Sequence, residues 1–500
     1  MIQRLARKIS RNSLFAAGLG MACATGLAPL SLWPVSLVSL ALVGLLYLRC
    51  KSVRAAGTTG WFFGFGYFAI GLLWIVEPFL VDVARHGWMA PFALVFMSGG
   101  LSLFWTAAFM AAARWGKSDL SRMLLLVAFW GLAEFARAYL LTGFPWAAFA
   151  QHWVDTPVAL LLAWIGPHGL ALGTLCAALL AALAVHRRSM KPLVGTLPVL
   201  VAAFLPFWFA GETAETDAVI RMVQPNAPQH QKWDPAHIPI FYQRQLDMTA
   251  AGSPPDLIVW PETAIPSLLD QAGPVLAEIS HSARGSPVVL GLRRIEGSRI
   301  YNSAVLIDGT GVATDIYDKH HLVPFGEYVP FGDLAARFGI HGFAAEQGQG
   351  FSAGPGPRLM DLGPLGTALP LICYEAVFPQ DVNAAPARPT LLMQLTNDAW
   401  FGTHSGPYQH MAQARMRAIE QGLPMLRVAN TGVSAMIDPH GKVMRQIPLG
   451  QSGYADAALP APLPPTFYSS SGDLPALVVL FLVAGIAIRF DRRISSSNTD

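Results

Sequence analysis

The chain has 500 residues, of which 53% are hydrophobic and only 13% charged, whereas soluble globular domains carry roughly 25% charged residues. Part of the chain is therefore expected to lie in lipid. The net charge of +3 is small and the basic residues are scattered, which excludes a nucleic-acid-binding surface.

Apolar stretches long enough to cross a membrane occur seven times in the first 210 residues and once near the C-terminus. A hydrocarbon core about 30 Å thick needs roughly 20 helical residues. Basic residues between Arg4 and Arg11 precede the first stretch, as they do in a signal peptide. Because further spans follow at once, we predict that the first stretch is a helix that stays in the mature protein. The predicted spans are 12–30, 31–48, 58–76, 88–113, 122–141, 157–185, 192–210 and 474–490.

Clusters of Lys and Arg recur on every second connection between these spans, and such loops stay in the cytoplasm. The other short loops offer essentially Arg85 alone. Both termini are therefore predicted to be cytoplasmic, with residues 211–473 outside. The basic clusters lie at 4–11, 49–54, 114–122, 187–191 and 489–493.

Two charged residues, Glu134 and Arg137, lie three apart in the fifth span, where an isolated charge is costly. This helical spacing allows them to pair, so a structural ion pair and a substrate contact both remain open. The loop 142–146 follows at the outer interface. Its Trp146 fits an aromatic belt or a contact with lipid substrate.

From about residue 216 the pattern changes to short, continuously apolar runs, which are typical of strands buried on both faces. Three helical segments fit between them: Ile238–Ala251, Ser267–Arg284 and His410–Gln421. The sequence predicts a layered α/β domain of about 250 residues, with a hairpin turn at Asp438–Lys442. The predicted strands are Ala218–Val223, Leu257–Trp260, Val288–Leu292, Ser303–Asp308, Thr367–Cys373, Thr390–Thr396, Leu426–Ala429 and Val433–Ile437.

Functional groups collect where the strands of α/β sheets end, and Glu262 directly follows one predicted strand. A lone Glu is usually a solvated loop charge. Packing against the core would instead raise the pKa of Glu262 towards that of a useful base.

Lys319 lies in a segment, 317–330, whose Pro, Gly and aromatic residues favour an ordered loop. It is either a surface charge or a partner for Cys373, the one cysteine in the polar part of the chain. Cys373 ends a strand and is followed by polar residues. A neighbouring Lys319 would lower the pKa of the thiol, whereas the alternative is a buried, inert cysteine.

The adjacent His320 and His321 are expected to point to opposite sides, and without supporting Cys or His spacing they predict no metal site.

Together, Trp260-Pro261-Glu262-Thr263, the Asp-Lys-x-His-Leu segment 318–322 and the Ile-Cys-Tyr-Glu segment 372–375 resemble the Glu-Lys-Cys triad of the nitrilase superfamily. The flanking spans and segment 323–330 narrow the resemblance to the apolipoprotein N-acyltransferase family. The resemblance implies a multi-pass α-helical membrane domain of about eight spans plus an α/β nitrilase-like α-β-β-α sandwich. The domains would be 1–211 (seven spans), 212–468 (periplasmic) and 469–500 (the last span and a cytoplasmic tail), in the bacterial inner membrane.

The resemblance also implies an activity. A fatty acyl group passes from a phospholipid, typically phosphatidylethanolamine, through a thioester on Cys373 to the N-terminal amine of a diacylglyceryl-cysteine apolipoprotein. Neither cofactor nor metal is implied. The site residues expected from the resemblance are Glu262, Lys319 and Cys373 as catalytic groups, Glu327, Tyr374 and Glu375 as supporting groups, and Trp233, Asn302, Phe325, Tyr328, Asn397, Trp400 and Trp146 as substrate contacts.

Two other interpretations fit parts of the sequence. A nitrilase-type amidase could carry the same triad on a membrane anchor, although an anchor needs one span rather than eight. A transporter with a large external domain would need ionisable residues along several spans, and it would leave the thiol triad unexplained.

Overall fold

The computed structural model describes residues 10–196, 211–329 and 350–497, and the chain divides into two compact units. The helical unit is drawn from Met1–Gly211, His404–Ala412 and Thr466–Asp500, and the second unit from Glu212–Thr403 and Gln413–Pro465. Both β-sheets belong to the second unit.

Helices of ten residues or more are labelled in chain order, and shorter α or 3-10 turns lie between them. The long helices are α1 Arg11–Ala24, α2 Trp33–Leu48, α3 Val53–Gly71, α4 Ala90–Trp115, α5 Asp119–Tyr139, α6 Leu162–Arg187, α7 Ile238–Ala250, α8 Gly273–Ala283, α9 Gly406–Gln421 and α10 Leu474–Ser497. The short turns are Leu73–Val76, Glu77–Leu80, Val83–His86, Gly87–Met89, Phe149–Trp153, Pro157–Leu161, Lys191–Thr196, Leu269–Gln271, Gly363–Leu365, Cys373–Val377, Pro379–Asn383, Asp398–Phe401 and Phe467–Ser471.

Within the described residues, three helical stretches are long and apolar enough to cross a membrane: Val83–Trp115, Pro157–Arg187 and Leu474–Arg492. Val53–Gly71 and Leu73–Leu80, bent by 63°, give a fourth if they count as one span. The predicted eight spans are therefore not confirmed. Helices α1 and α2 have 14 and 16 residues, about 21–24 Å of helix, which is shorter than the bilayer core. The predicted span at 192–210 lies largely outside the described residues.

The ion pair of the fifth predicted span is a structural one. Glu134 and Arg137 are 3% and 2% exposed, with 2.6 Å between Arg137 Nη2 and Glu134 Oε2. Trp105 Nε1 of α4 donates to Glu134 Oε1 at 2.8 Å. Arg137 Nη1 donates to the carbonyl oxygens of Phe144 and Trp146 at 2.5 and 2.6 Å. The pair thus joins α4, α5 and the following loop.

Trp146 of this loop is fully buried within the helical unit. Its Nε1 donates to Gln409 Oε1 at 2.7 Å, and its ring lies 4.4 Å from that of Trp74. These contacts hold the loop and the 404–412 segment of the same unit together.

The second unit contains two six-stranded sheets, with strand orders β12-β1-β2-β3-β4-β5 and β11-β10-β9-β8-β7-β6. The predicted α/β class is confirmed, and so is the hairpin turn, because Asp438–Lys442 joins the antiparallel β10 and β11. The strands are β1 Glu215–Gln224, β2 Leu257–Val259, β3 Val288–Glu296, β4 Arg299–Ile307, β5 Ala313–Asp318, β6 Met360–Asp361, β7 Thr367–Ile372, β8 Leu391–Thr396, β9 Met425–Ala429, β10 Ser434–Ile437, β11 Val443–Ile447 and β12 Gly453–Pro460.

Parallel pairing at the centre of each sheet brings polar strand ends to one edge. Strands β1, β2 and β3 pair in parallel, as do β7, β8 and β9. Helices α7 and α8 cover the first sheet, where Leu246 and Ile279 pack into a buried cluster with Ile258 and Leu290. Glu262 follows β2 and Cys373 follows β7 directly.

Candidate active site

Glu262 is held just past the end of β2. Trp260 N donates to Val289 O of β3 at 2.9 Å, and β3 passes so close that a Cβ on Gly291 would lie 2.7 Å from Glu262 Cα. The side chain is 7% exposed, and Asn302 Nδ2 donates to its Oε1 at 2.7 Å. Burial raises the pKa of Glu262, against the opposing charge of Lys319. The pKa direction expected for a base is confirmed.

Lys319 follows the edge strand β5, and the register of that strand with β4 places it beside Asn302. Its backbone N donates to Asn302 O at 2.9 Å. The ammonium group is 1% exposed and lies 2.8 Å from Glu327 Oε1 and 3.8 Å from Glu262 Oε1. Burial lowers the pKa of Lys319, but the negative charges of Glu327 and Glu262 outweigh burial and raise the pKa overall. The ammonium therefore stays charged at neutral pH.

Glu327 belongs to a compact loop that fixes both of its carboxylate oxygens. Oε1 accepts from Lys319, and Oε2 accepts from Val323 N at 2.8 Å. Phe325, with φ of 62°, donates its N–H to Tyr328 O at 2.7 Å. Lys319 thus lies between two buried carboxylates.

Cys373 occupies a strained turn directly after β7, with φ of 52°, a conformation that is uncommon for a residue with a Cβ. Gln394 Nε2 donates to its carbonyl oxygen at 3.0 Å. The residue is 6% exposed. Burial raises the pKa of the Cys373 thiol, Glu262 raises it further, and Lys319 lowers it. Lys319 therefore lowers the pKa of the thiol, as expected, but burial outweighs the lysine charge and the pKa is raised overall.

Glu375 connects the turn at Cys373 with the loop that carries Lys319. It is fully buried, and its Oε2 accepts from Ile372 N at 2.6 Å and from Tyr317 Oη at 2.9 Å. Its Oε1 accepts from His320 N at 2.8 Å. Glu375 therefore fixes the two loops through backbone and side-chain contacts.

His320 and His321 both face Asp381, at 3.6 and 2.7 Å from its Oδ2. The expectation that they point to opposite sides is wrong, because both side chains join this carboxylate. Burial lowers the pKa of His320, but the neighbouring carboxylates of Asp381 and Glu375 outweigh burial and raise it to about 9. Across the described ranges, no group of three or more His, Cys, Asp or Glu side chains could hold a metal ion.

Three other predicted residues lie around these groups. Tyr374 is buried and meets Phe378 edge to face at 4.8 Å. Asn302 is a direct partner of Glu262. Trp233 is 38% exposed, lies 5.0 Å from Lys232 Nζ, and lines an apolar depression beside Pro261.

The remaining predicted contacts differ in exposure. Phe325 is 57% exposed, and Tyr328 and Trp400 are half-buried. Asn397 is 4% exposed and donates to Gln229 Oε1 at 2.8 Å. Trp146 belongs to the helical unit, as described above.

Sequence reasoning assigned no role to several buried polar groups of the site. Lys232 Nζ donates to Glu262 O at 3.1 Å and to Thr263 Oγ1 at 3.0 Å, and burial lowers the pKa of Lys232 to about 8. Arg427 of β9 and Asp398, which follows β8, form a fully buried ion pair. The available signal was Arg427, a charged residue inside the apolar strand Met425–Ala429.

Comparison with known proteins identifies the class first. Residues 219–463 match the carbon-nitrogen hydrolase family model, and residues 19–183 match that of the apolipoprotein N-acyltransferase N-terminal domain. The two-sheet unit is thus a nitrilase-like carbon-nitrogen hydrolase domain.

Full-length relatives then identify the family. The chain is 36% identical to the apolipoprotein N-acyltransferase of Rhodopseudomonas palustris, covering 95% of this chain and 94% of that protein. It is 35% identical to that of Bradyrhizobium diazoefficiens, covering 96% and 95%. The chain belongs to the apolipoprotein N-acyltransferase family, as the resemblance predicted, and with its apolar helices it is a membrane protein. The amidase interpretation is not favoured.

Among solved structures, a CN-hydrolase superfamily protein from Xanthomonas campestris is 21% identical, with a TM-score of 0.36, covering 53% of this chain and 97% of that one. An amidase from Nesterenkonia is 17% identical, with a TM-score of 0.36, covering 53% and 98%.

Proposed function

We propose that the protein transfers a fatty acyl group from a phospholipid to the N-terminal amine of the diacylglyceryl-cysteine of apolipoproteins, through a thioester on Cys373. Phosphatidylethanolamine is the proposed donor. The observation that carries the proposal is the convergence of Glu262, Lys319 and Cys373: Lys319 Nζ lies 3.8 Å from Glu262 Oε1, and both charges act on the Cys373 thiol.

In the first half-reaction, Glu262 takes the thiol proton while Cys373 Sγ attacks the ester carbonyl carbon of the phospholipid. The resting group is a thiol, so proton transfer accompanies attack. Lys319 and the backbone N–H of Tyr374 stabilise the oxyanion. The lysophospholipid oxygen leaves with the proton held by Glu262, and the acyl group remains on sulfur.

In the second half-reaction, the α-amine of the apolipoprotein replaces the lysophospholipid. Glu262 removes a proton from the amine as its nitrogen attacks the thioester carbonyl, and the thiolate leaves and is reprotonated from Glu262. Product release before the second substrate binds makes the kinetics ping-pong. The change from ester to thioester to amide requires neither nucleotide nor metal.

Glu327 is the proposed orienting group for Lys319. Its 2.8 Å contact holds the ammonium between two carboxylates, which keeps it from pairing with Glu262 alone. Tyr374 and Glu375 support the same site through the turn that presents Cys373.

Lipid-anchored substrates explain why this site belongs to a membrane protein, because the reacting ester and amine remain near the bilayer surface. We propose eight spans in the inner membrane, seven within residues 1–211 and the eighth within residues 469–500. Both termini lie in the cytoplasm, and residues 212–468 form a periplasmic catalytic domain. The aromatic side chains proposed to contact the acyl chains are Trp233, Phe325, Tyr328 and Trp400, with Asn302 and Asn397 as polar contacts. The expected contact of Trp146 is not proposed, because its side chain is fully buried.

The decisive test is mass spectrometry of the purified protein after incubation with phosphatidylethanolamine and no acceptor. An acyl mass is expected on the Cys373 peptide, with release of lysophospholipid. Addition of a diacylglyceryl-cysteine peptide should discharge it and yield the N-acylated peptide.

Cys176→Ala is the matched control, since this cysteine lies in α6 and should leave labelling intact. Labelling that persists in Cys373→Ala would refute the thioester. Discharge by water at the rate of the peptide would indicate a hydrolase instead.

A further inference from the structure

Cys373 has a hydroxyl neighbour with no role in the mechanism above. β7 and β8 pair in parallel with Ile372 opposite Leu395, and Cys373 and Thr396 directly follow these two residues in the chain. The Cys373 side chain hydrogen-bonds the Thr396 hydroxyl. Thr396 is fully buried.

The same hydroxyl is also bonded to a carboxylate. Thr396 Oγ1 lies 3.0 Å from Asp398 Oδ1, and Asp398 Oδ2 forms the buried ion pair with Arg427. An ionised carboxylate can only accept hydrogen bonds, so Thr396 donates its single proton to Asp398. Its oxygen can then only accept from Cys373, which requires a protonated thiol.

Loss of the thiol proton reverses this requirement. A thiolate can only accept hydrogen bonds. As long as the Thr396 hydroxyl proton points at Asp398, the thiolate and the Thr396 oxygen are two acceptors with no proton between them, so the hydroxyl has to turn. The backbone stays fixed during such a turn, because Thr396 pairs with Ala429 in the sheet. Only the hydroxyl torsion has to change.

We propose that Thr396 is a further catalytic residue whose hydroxyl turns from Asp398 to Cys373 Sγ as Glu262 takes the thiol proton. The hydroxyl accepts from S–H at rest and donates to the thiolate during attack and again when the thioester breaks. No proton leaves Thr396, and the thiol proton goes to Glu262. This inference rests on the proposed thioester chemistry.

Arg427 makes the turn feasible. When Thr396 turns away, Asp398 keeps the charged hydrogen bond from Arg427 Nη2, so its carboxylate is not left unpaired in the interior. The other guanidinium nitrogen Nη1 donates to Gln394 Oε1, which directs Gln394 Nε2 at the Cys373 carbonyl. Arg427 is thus a positioning residue for both the nucleophile and its hydroxyl partner.

The test compares Thr396→Val, which keeps the shape but lacks the hydroxyl, with Thr396→Ser, which keeps the hydroxyl. Alkylation of Cys373 by iodoacetamide is followed between pH 7 and 10 by mass spectrometry of its peptide, and Cys373 acylation by phospholipid is timed in parallel. A hydrogen bond to a charged group is worth roughly a ten- to hundredfold change in thiolate population. We expect the alkylation and acylation rates of Thr396→Val to fall by that factor, and those of Thr396→Ser to stay close to the wild type.

Thr390→Val is the control, since Thr390 Oγ1 accepts from Thr367 N at the other end of the same strand pair. It should leave both rates unchanged. Where Thr396→Val does not fold, Thr396→Ala takes its place. Equal alkylation and acylation rates in wild type and the hydroxyl-free variant would overturn the role of Thr396. Wild-type protein that alkylates but never acylates would overturn the proposed function instead, because alkylation reports the thiolate alone.

Discussion

Replacing Glu327 by Gln tests why Lys319 has two carboxylate partners. Glu262 Oε1 and Glu327 Oε1 both lie within 3.4 Å of Asn302 Nδ2, so about 6 Å at most separates them. At an effective dielectric of about 20 their repulsion is worth about 3 kcal/mol, or roughly two pKa units. The negative charge of Glu327 raises the pKa of Glu262, so its removal lowers that pKa.

The variant should therefore have a weaker base and a lysine that pairs more closely with Glu262. We expect kcat/KM to fall by roughly a hundredfold. This is the lower limit of the effects usually seen when a general base or an oxyanion donor is impaired. The acid limb of the kcat/KM profile, set by ionisation of Glu262, should move to lower pH by one to two units. Both are measured by N-acylation of a diacylglyceryl peptide across pH.

Glu296→Gln is the matched control, because this β3 carboxylate is 67% exposed and pairs with Arg294. It should leave the profile unchanged. An acid limb that stays in place or moves upwards in Glu327→Gln would refute the electrostatic coupling of the two carboxylates.

Three further substitutions address stability, each measured by thermal denaturation in detergent. His320 has a pKa of about 9 in the folded protein against its ordinary 6.5, so its contribution to stability is complete below pH 6.5 and is lost as the pH rises to 9. The free energy of unfolding of the wild type should fall by up to about 3 kcal/mol over that window, and that of His320→Gln should not. Gly432→Ala would place a Cβ 2.2 Å from Asp398 Oδ2 and should cost about 1–3 kcal/mol by displacing a buried acceptor; an unchanged midpoint would contradict this. Arg137→Met removes the ion-pair partner of the buried Glu134 carboxylate and should cost about 3–5 kcal/mol, and adding Glu134→Gln should recover part of the loss.

The eight strands predicted from the sequence are the inner strands of the two sheets, and the four that were missed, β5, β6, β11 and β12, are the edge strands. Inner strands are buried on both faces and therefore give continuous apolar runs. The edge strands are partly exposed: β5 reads Ala-Thr-Asp-Ile-Tyr-Asp, and most of β11 is exposed. Their sequences lack the apolar runs on which the prediction depended.

The three proposed catalytic groups were found from the sequence because two of them follow inner strands and the third lies in a distinctive loop. Their protonation states were not, because the pKa of Cys373 depends on how deeply the fold buries the thiol. The contacts of Thr396 were also hidden. A hydroxyl in an apolar strand gives no sign of its partner until the register with β7 is known.

Charge balance is the physical reason why the proposed catalytic groups can be buried and still react. At rest the carboxylates of Glu262 and Glu327 lie around the ammonium of Lys319, and these three groups together carry one net negative charge. When Glu262 takes the thiol proton and the oxyanion forms, that charge moves from Glu262 to the substrate oxygen, and the net charge is unchanged. Burial therefore opposes the resting state and the oxyanion state to a similar degree. A thiolate whose proton had left the site would instead add an extra buried ion, with its full desolvation cost. Lys319 is already charged and in place for the oxyanion, so little reorganisation is needed during attack.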